Sequence, residues 1–457
     1  MHRFILTCAL TALALDASAC SCSTGVHPGR DGGPVFDTGP IADIGTPVDT
    51  NIALRDIGPI TNCMGHPTRV TGTTYAPNGM DPLPGLIVAA YPDTQAFSAA
   101  AATVQCQTCV SNVPGSLAFI RSGGDGTFTL GGPALDAGGT VTIVIESGGF
   151  RRVVRGVSIP RCGDLALTSA QTSLPGASAG DDLIPRIAVA SSTTTGDVND
   201  KFAHVLDLIG ITGYDRWGPD KTGTAFGSMD LIALFTTPSR LNSYDIVIAP
   251  CGSLGNFSVS PVLTATMVTN LQAWLAAGGR LYASDLAYEI AAEAFPTAMT
   301  FATGPSPHAG ADPADVGQGI ASGSTIMADV DDADLLAWLR LVGAVSPTAT
   351  QIPVSDLRDP WAAVDLVPPT NLTPDTHGIH HEAVLVSANV TWHTGGAGHH
   401  PLTVQADYPN PAGAYCGRMV FTSYHVQTGT GTTLAPQERV LEYVFFQLSS
   451  CIQAGPM

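Results

Sequence analysis

Three short apolar runs separated by stretches of helical period constrain this chain most. They are Arg186-Ile187-Ala188-Val189-Ala190, Tyr244-Asp245-Ile246-Val247-Ile248-Ala249-Pro250 and Arg280-Leu281-Tyr282-Ala283-Ser284. Runs of this length, bounded by turn residues, suit strands buried on both faces. Residues 201–209 have helical spacing. Residues 260–277 read as an amphipathic helix stopped by Gly278-Gly279. Strands that alternate with helices need crossover connections, which predicts a mostly parallel sheet with helices on both faces. A further strand at 419–424, a Gly-Thr-rich loop and a helix at 436–448 complete the pattern. We therefore expect an α/β, doubly wound, mostly parallel sheet over residues 184–453. An insertion around 296–415 should add a helix and several strands. Within it Asp329, Asp331, Asp332 and Asp334 precede an apolar helical run, so N-capping explains them better than calcium.

Upstream, the period is two. Residues 69–75 alternate, the turn Ala76-Pro77-Asn78-Gly79 follows, and Leu86-Ile87-Val88-Ala89-Ala90-Tyr91 is a buried-type strand. Gly124-Asp125-Gly126 leads into Thr127-Phe128-Thr129-Leu130, and residues 141–145 and 152–154 give two more strands. Short strands at this spacing predict an all-β, immunoglobulin-like sandwich over residues 63–170.

The N-terminal 62 residues fit neither pattern. A basic start, a short apolar run over 4–15 and small residues before Cys20 have the form of a secretory signal over 1–19. The apolar run is about half of what a membrane span needs. Ala17-Ser18-Ala19 before Cys20 resembles a bacterial lipobox, which predicts lipidation at Cys20; the same residues also fit ordinary signal peptidase, which would release a secreted protein. Residues 20–62 are Asp, Gly, Pro and Thr with scattered single hydrophobics, a composition that cannot bury a face and predicts a disordered tether. The expected location is the outer membrane or cell surface, or else the periplasm or medium.

The formal net charge of −19 opposes binding to a phosphate backbone, so nucleic acid is not an expected partner. The expected partners are the membrane, through the lipid anchor, and an envelope or extracellular ligand. With ten cysteines in an exported chain, disulfides are expected. Candidates are Cys63, Cys106, Cys109 and Cys162 in the sandwich. Cys416 and Cys451 are expected to bond each other, because a helix antiparallel to its preceding strand returns to that strand's start.

Two resemblances sharpen this. Val70-Thr71-Gly72 and Tyr75-Ala76-Pro77-Asn78-Gly79, then Pro82-Leu83-Pro84 and Asp125-Gly126-Thr127-Phe128-Thr129-Leu130, resemble the carboxypeptidase regulatory-like, prealbumin-type domain. That resemblance implies a spacer or adhesive module and no catalysis, and no zinc-peptidase ligand set accompanies it. Residues 244–251, 278–285 and 416–425 resemble the class I glutamine amidotransferase-like fold and its trehalose-utilisation-like branch. The whole order is similar to a family of exported bacterial lipoproteins. An eightfold strand–helix repeat, as a tryptophan synthase alpha chain would need, is not present.

The amidotransferase pattern places a cysteine on a Gly-x-Cys-x-Gly elbow. Here Ala283-Ser284-Asp285-Leu286-Ala287 stands instead, without the thiol and without the glycines of the tight turn. His425 matches the family's histidine, while Gln427 replaces its glutamate. Cys251, Asp285 and His425 are the candidate reactive residues. His377, His380 and His381 are candidate metal ligands by spacing, although Pro374 and Gly378 argue for a loop. No cofactor is expected. The expected function is a non-catalytic binding or structural role in the envelope. The alternative is a degenerate amidotransferase-like or metal-dependent hydrolase that uses the α/β crevice.

Overall fold

The computed structural model describes residues 63, 65–107, 113–190, 200–217, 231–251, 263–296, 298–301, 316–317, 324–355, 357, 361–362, 364–366, 382–392, 396–426 and 431–450. The signal, Cys20, the tether, Cys109, Cys451, Gln427 and His377, His380 and His381 lie outside them. The described residues belong to one compact unit, 59–457.

Seven strands open the described chain: β1 Arg69–Thr73, β2 Ile87–Pro92, β3 Ala118–Arg121, β4 Thr127–Gly131, β5 Gly139–Ser147, β6 Phe150–Ile159 and β7 Asp164–Ala166. They form a three-stranded sheet in the order β4-β1-β7 and a four-stranded sheet in the order β3-β2-β5-β6. Alternation does the work predicted for it. Phe128 and Leu130 of β4 are buried while Thr127, Thr129 and Gly131 are exposed. The turn at Asn78-Gly79 holds because the Asn78 side-chain oxygen accepts from Met80 N and Asp81 N, with Gly79 at φ +72°.

Four strands follow at β8 Ile187–Ala190, β9 Tyr214–Trp217, β10 Ile246–Ala249 and β11 Arg280–Ser284. The intervening and later stretch gives β12 Thr300–Phe301, β13 Val316–Gly317, β14 Ile326–Val330, β15 Gln351–Val354, β16 Trp361–Ala362, β17 Val364–Leu366, β18 Glu382–Trp392, β19 Gly396–Pro409 and β20 Tyr415–Thr422. Eleven of these strands form one sheet, with the path β15-β14-β18-β19-β20-β11-β10-β8-β9. The pairs from β9 to β20 are parallel. The pairs from β20 to β15 are antiparallel. The sheet is thus mixed rather than mostly parallel. The physical reason is the insertion: its long β18–β19 hairpin pairs along β20 and extends the parallel strands, instead of forming a separate layer.

Alternate residues of the parallel strands enter two different cores. Ile187, Val189, Ile246, Ile248, Tyr282 and Val420 face one. Ala188, Ala190, Val247, Ala249, Leu281, Ala283, Met419 and Phe421 face the other. A strand that buries both faces is largely apolar, which is why these runs were conspicuous in the sequence; the buried exceptions, Arg280 and Arg418, are held by the Cys416 carbonyl and Asp407 respectively. The helix Ala265–Ala276 supplies Met267, Leu271, Trp274 and Leu275 to the second core. The helix Pro436–Ser449 supplies Val440, Leu441, Val444 and Phe445 to the first.

That first core also contains Val70, Val88, Leu130, Ile143 and Phe150 from the N-terminal strands. Phe150 meets Phe445 and Phe446 at 6.2 and 5.7 Å between ring centres. Trp338 Nε1 donates to Pro82 O at 2.7 Å, and Arg439 pairs with Asp81 at 2.7 Å. Residues 63–170 and 184–453 therefore share apolar interior. Cys63 bonds Cys162, and Cys106 bonds Cys416. This corrects two expectations, that Cys416 pairs with Cys451 and that Cys106 bonds another cysteine of the sandwich. The return of the last helix to the start of β20 is observed, since Arg418 Nη1 donates to Gln447 O at 2.9 Å. The thiol waiting there for Cys416 comes from the N-terminal part.

Gly278 shows how close that approach is. It has φ +117°, and a Cβ there would stand 2.2 Å from the Gln105 carbonyl oxygen, beside Cys106. Gly278→Ala should therefore cost at least about 1 kcal/mol, read as a lower midpoint in denaturant melts. A midpoint equal to wild type would contradict the packing described.

Candidate functional site

Three strands of the parallel set end within reach of one another. Cys251 follows β10, Asp285 follows β11, and His425 lies three residues beyond β20. Loops at the carboxyl ends of parallel strands are where such sheets gather functional groups. The three side chains do converge. Cys251 Sγ lies 3.3 Å from Asp285 Oδ2, and His425 Nε2 lies 2.9 Å from the same oxygen. All three donor atoms fall within 4.8 Å of one another. Exposure is 3% for Cys251, 1% for Asp285 and 2% for His425, so this chemistry would proceed away from bulk water.

Asp285 has φ +42°. It is thus in the left-handed region, between β11 and a 3-10 turn at Asp285–Ala287 that leads into the helix Tyr288–Ala294. The loss of the flanking glycines was expected to abolish the tight turn. The turn persists, and this corrects the expectation. Aspartate tolerates positive φ better than most residues, and its side chain here is held by three donors or neighbours that repay the strain. Besides His425 and Cys251, Asp285 Oδ1 accepts from Ala362 N at 2.8 Å.

A second polar layer fixes the first. Cys251 N donates to Ser284 Oγ at 3.0 Å. Ser284 Oγ in turn donates to Asp200 Oδ2, and Asp200 Oδ1 accepts from Val426 N at 3.0 Å. Gln437 Nε2 donates to the His425 carbonyl at 2.8 Å. Nearby, Tyr282 OH lies 2.7 Å from Thr422 Oγ1. Its phenol is held well above the ordinary value, chiefly by burial and then by the Asp200 charge.

Sequence reasoning missed Asp200, Ser284, Ala362 and Gln437. Asp200 stands just before the helix Phe202–Leu208, which has Lys201 at its cap and no side-chain cap bond. An aspartate just before a helix signals a cap, and only the fold reveals that it turns to β11 and β20 instead. By contrast Asp332 does cap the helix Ala333–Leu341, accepting from Leu335 N at 2.7 Å. His399 and His400 lie on β19, with His399 Nε2 2.7 Å from Ser387 Oγ.

The order of groups limits the chemistry. In a nucleophile–base–acid triad the imidazole is the middle group. Here the carboxylate oxygen is the atom that thiol and imidazole both approach. Asp285 at the elbow is a weak nucleophile towards an amide, and its oxygens are occupied by hydrogen bonds. Soft sulfur, imidazole nitrogen and carboxylate oxygen together are, however, a metal-ligand set.

No family model matches the chain, and no curated protein matches it. Among solved structures it is similar to a ThuA-like protein from Parabacteroides merdae ATCC 43184, at 13% identity and a TM-score of 0.33, over 60% of this chain and 92% of that one. It is similar to a ThuA-like protein from Bacteroides uniformis ATCC 8492, at 12% identity and a TM-score of 0.29, over 59% and 93% of the two chains. It is also similar to PurLQS from Thermotoga maritima, at 11% identity and a TM-score of 0.28, over 58% and 100%.

Proposed function

We infer that this is an exported, lipid-anchored envelope protein whose α/β part binds a ligand and does not turn it over. The observation that carries the reading is Asp285, which occupies the elbow at φ +42° with its carboxylate engaged by His425 and Ala362 N. The elbow geometry of an amidotransferase-like frame is kept while the nucleophile is replaced. A doubly wound reading of that frame is supported by the order β9-β8-β10-β11-β20, in which the first strand lies inside and the chain winds outward both ways. The prealbumin-type sandwich reading of residues 63–170 is supported by two small sheets that contribute to a common core. Two disulfides favour an oxidising compartment.

Purified protein should release no ammonia from glutamine, and Asp285→Ala should alter ligand binding or stability rather than turnover. A glutaminase rate lost in both Asp285→Ala and His425→Ala would overturn the reading. Cys20→Ala should abolish palmitate labelling and release the protein from membranes; labelling that survives it would remove the anchor. The alternative, a degenerate amidotransferase-like or metal-dependent hydrolase, draws on the Cys251 thiol 3.3 Å from Asp285.

A further inference from the structure

We propose that Cys251, Asp285 and His425 form a buried site for one thiophilic divalent cation, with zinc as its natural occupant. The proposal goes beyond the anchoring and binding reading and does not depend on it. It rests on the convergence of three unlike donors from three strand ends, each almost fully buried. A thiolate, an imidazole and a carboxylate select zinc over magnesium or calcium, which prefer all-oxygen cages.

The spacing fits. Around a tetrahedral zinc with bonds of about 2.0–2.3 Å, neighbouring donors stand about 3.3–3.5 Å apart. The nitrogen–oxygen and sulfur–oxygen separations here are 2.9 and 3.3 Å. Each needs to widen by only a few tenths of an ångström. The donors are also supported from behind, as metal ligands generally are. Asp285 Oδ1 is fixed by Ala362 N, the Cys251 backbone by Ser284, and the His425 backbone by Gln437. Water would take the fourth position.

The protons balance. The Cys251 thiol gives up one proton and binds as thiolate. The imidazole offers Nε2 and carries its proton on Nδ1, and the carboxylate binds as the anion. About one proton leaves per ion bound.

The test uses the mature full-length protein with zinc chloride and cobalt chloride as probes. One zinc per chain should remain after dialysis, and calorimetry in buffers of different ionisation enthalpy should read about one proton released. The cobalt adduct should show a sulfur-to-cobalt charge-transfer band in the near ultraviolet. Cys251→Ser should abolish that band, and Asp285→Asn and His425→Ala should each weaken zinc binding at least tenfold. Zinc should raise the Tm of the wild type and not of Cys251→Ser, whose far-ultraviolet circular dichroism checks that it folds. The triple variant His377→Ala, His380→Ala, His381→Ala should leave the cobalt spectrum unchanged. Absence of stoichiometric zinc, or a charge-transfer band that survives Cys251→Ser, overturns the proposal. So does loss of binding in the triple histidine variant. Zinc-dependent hydrolysis of a substrate would instead overturn the non-catalytic reading and leave the metal site standing.

Discussion

Replacing Cys106 and Cys416 together with serine is expected to cost about 2–5 kcal/mol of unfolding free energy. The bond joins residues 310 positions apart. Cutting it frees the unfolded chain far more than the native one, whose partners are already held together. The native contacts beside it are independent of sulfur: Val104 N donates to Asn242 O at 2.9 Å, and Arg186 Nη1 donates to Ala102 O at 2.5 Å. The variant should therefore fold and lose stability chiefly through the denatured ensemble. The Cys63–Cys162 bond closes a span of 99 residues. Because the loop term grows only with the logarithm of length, losing that bond should cost about 1 kcal/mol less. Denaturant melts of the two double variants read both numbers. Non-reducing peptide mapping should find Cys106 linked to Cys416, and a link from Cys416 to Cys451 would reverse this assignment.

Wild-type stability should fall as pH rises from about 5 to 8, and Glu442→Gln should remove most of that fall. Glu442 is fully buried, with Oε2 2.6 Å from Arg439 Nη1. The same guanidinium nitrogen lies 2.7 Å from Asp81 Oδ2. One cation thus serves two carboxylates. Burial pushes Glu442 up to about 8, the Asp81 charge adds to this, and Arg439 opposes it. The sign follows from proton binding. Below the ordinary glutamate value, near about 4.3, both folded and unfolded chains hold the proton and the contribution is full. Between that value and 8 the unfolded chain releases it while the native state keeps it. Stability then drops by at most about 1.4 kcal/mol per pH unit, and the decline ends above the folded value. Burial also raises Glu146 and Glu438, which steepen the wild-type slope in the same sense. The difference between wild type and Glu442→Gln is therefore the readout. Parallel slopes would show that Glu442 is ionised in the native state at neutral pH.

What the sequence made legible follows from burial. β8 and β10 are apolar on both faces, and β11 and β20 nearly so apart from Arg280, Ser284, Arg418 and Thr422, so composition marks them. β9 was missed because its middle residues, Asp215 and Arg216, are exposed at the sheet's edge and carry no apolar signature. The mixed character of the sheet was hidden for a related reason. The antiparallel half depends on which strand the β18–β19 hairpin pairs with, and local pattern does not report a partner. The site was half visible. Cys251, Asp285 and His425 each stand just after a recognisable strand, and strand order brings such ends together. Asp200 and the backbone N–H of Ala362 leave no mark, because a loop carboxylate and a main-chain donor look the same wherever they point. The pairing of Cys106 with Cys416 was likewise invisible, since spacing cannot report which of two distant surfaces will meet.

The bond between Cys63 and Cys162 also decides how the fold carries mechanical load. A pull on the chain upstream of Cys63 reaches Cys162 through covalent sulfur before it reaches the strands from β1 to β6, all of which lie inside the closed loop. The Cys106–Cys416 bond ties that same loop to the C-terminal part, so the shortest covalent route for the load runs from Cys63 through β1 and β2 to Cys106, while β3 to β6 lie on a branch closed by sulfur at both ends.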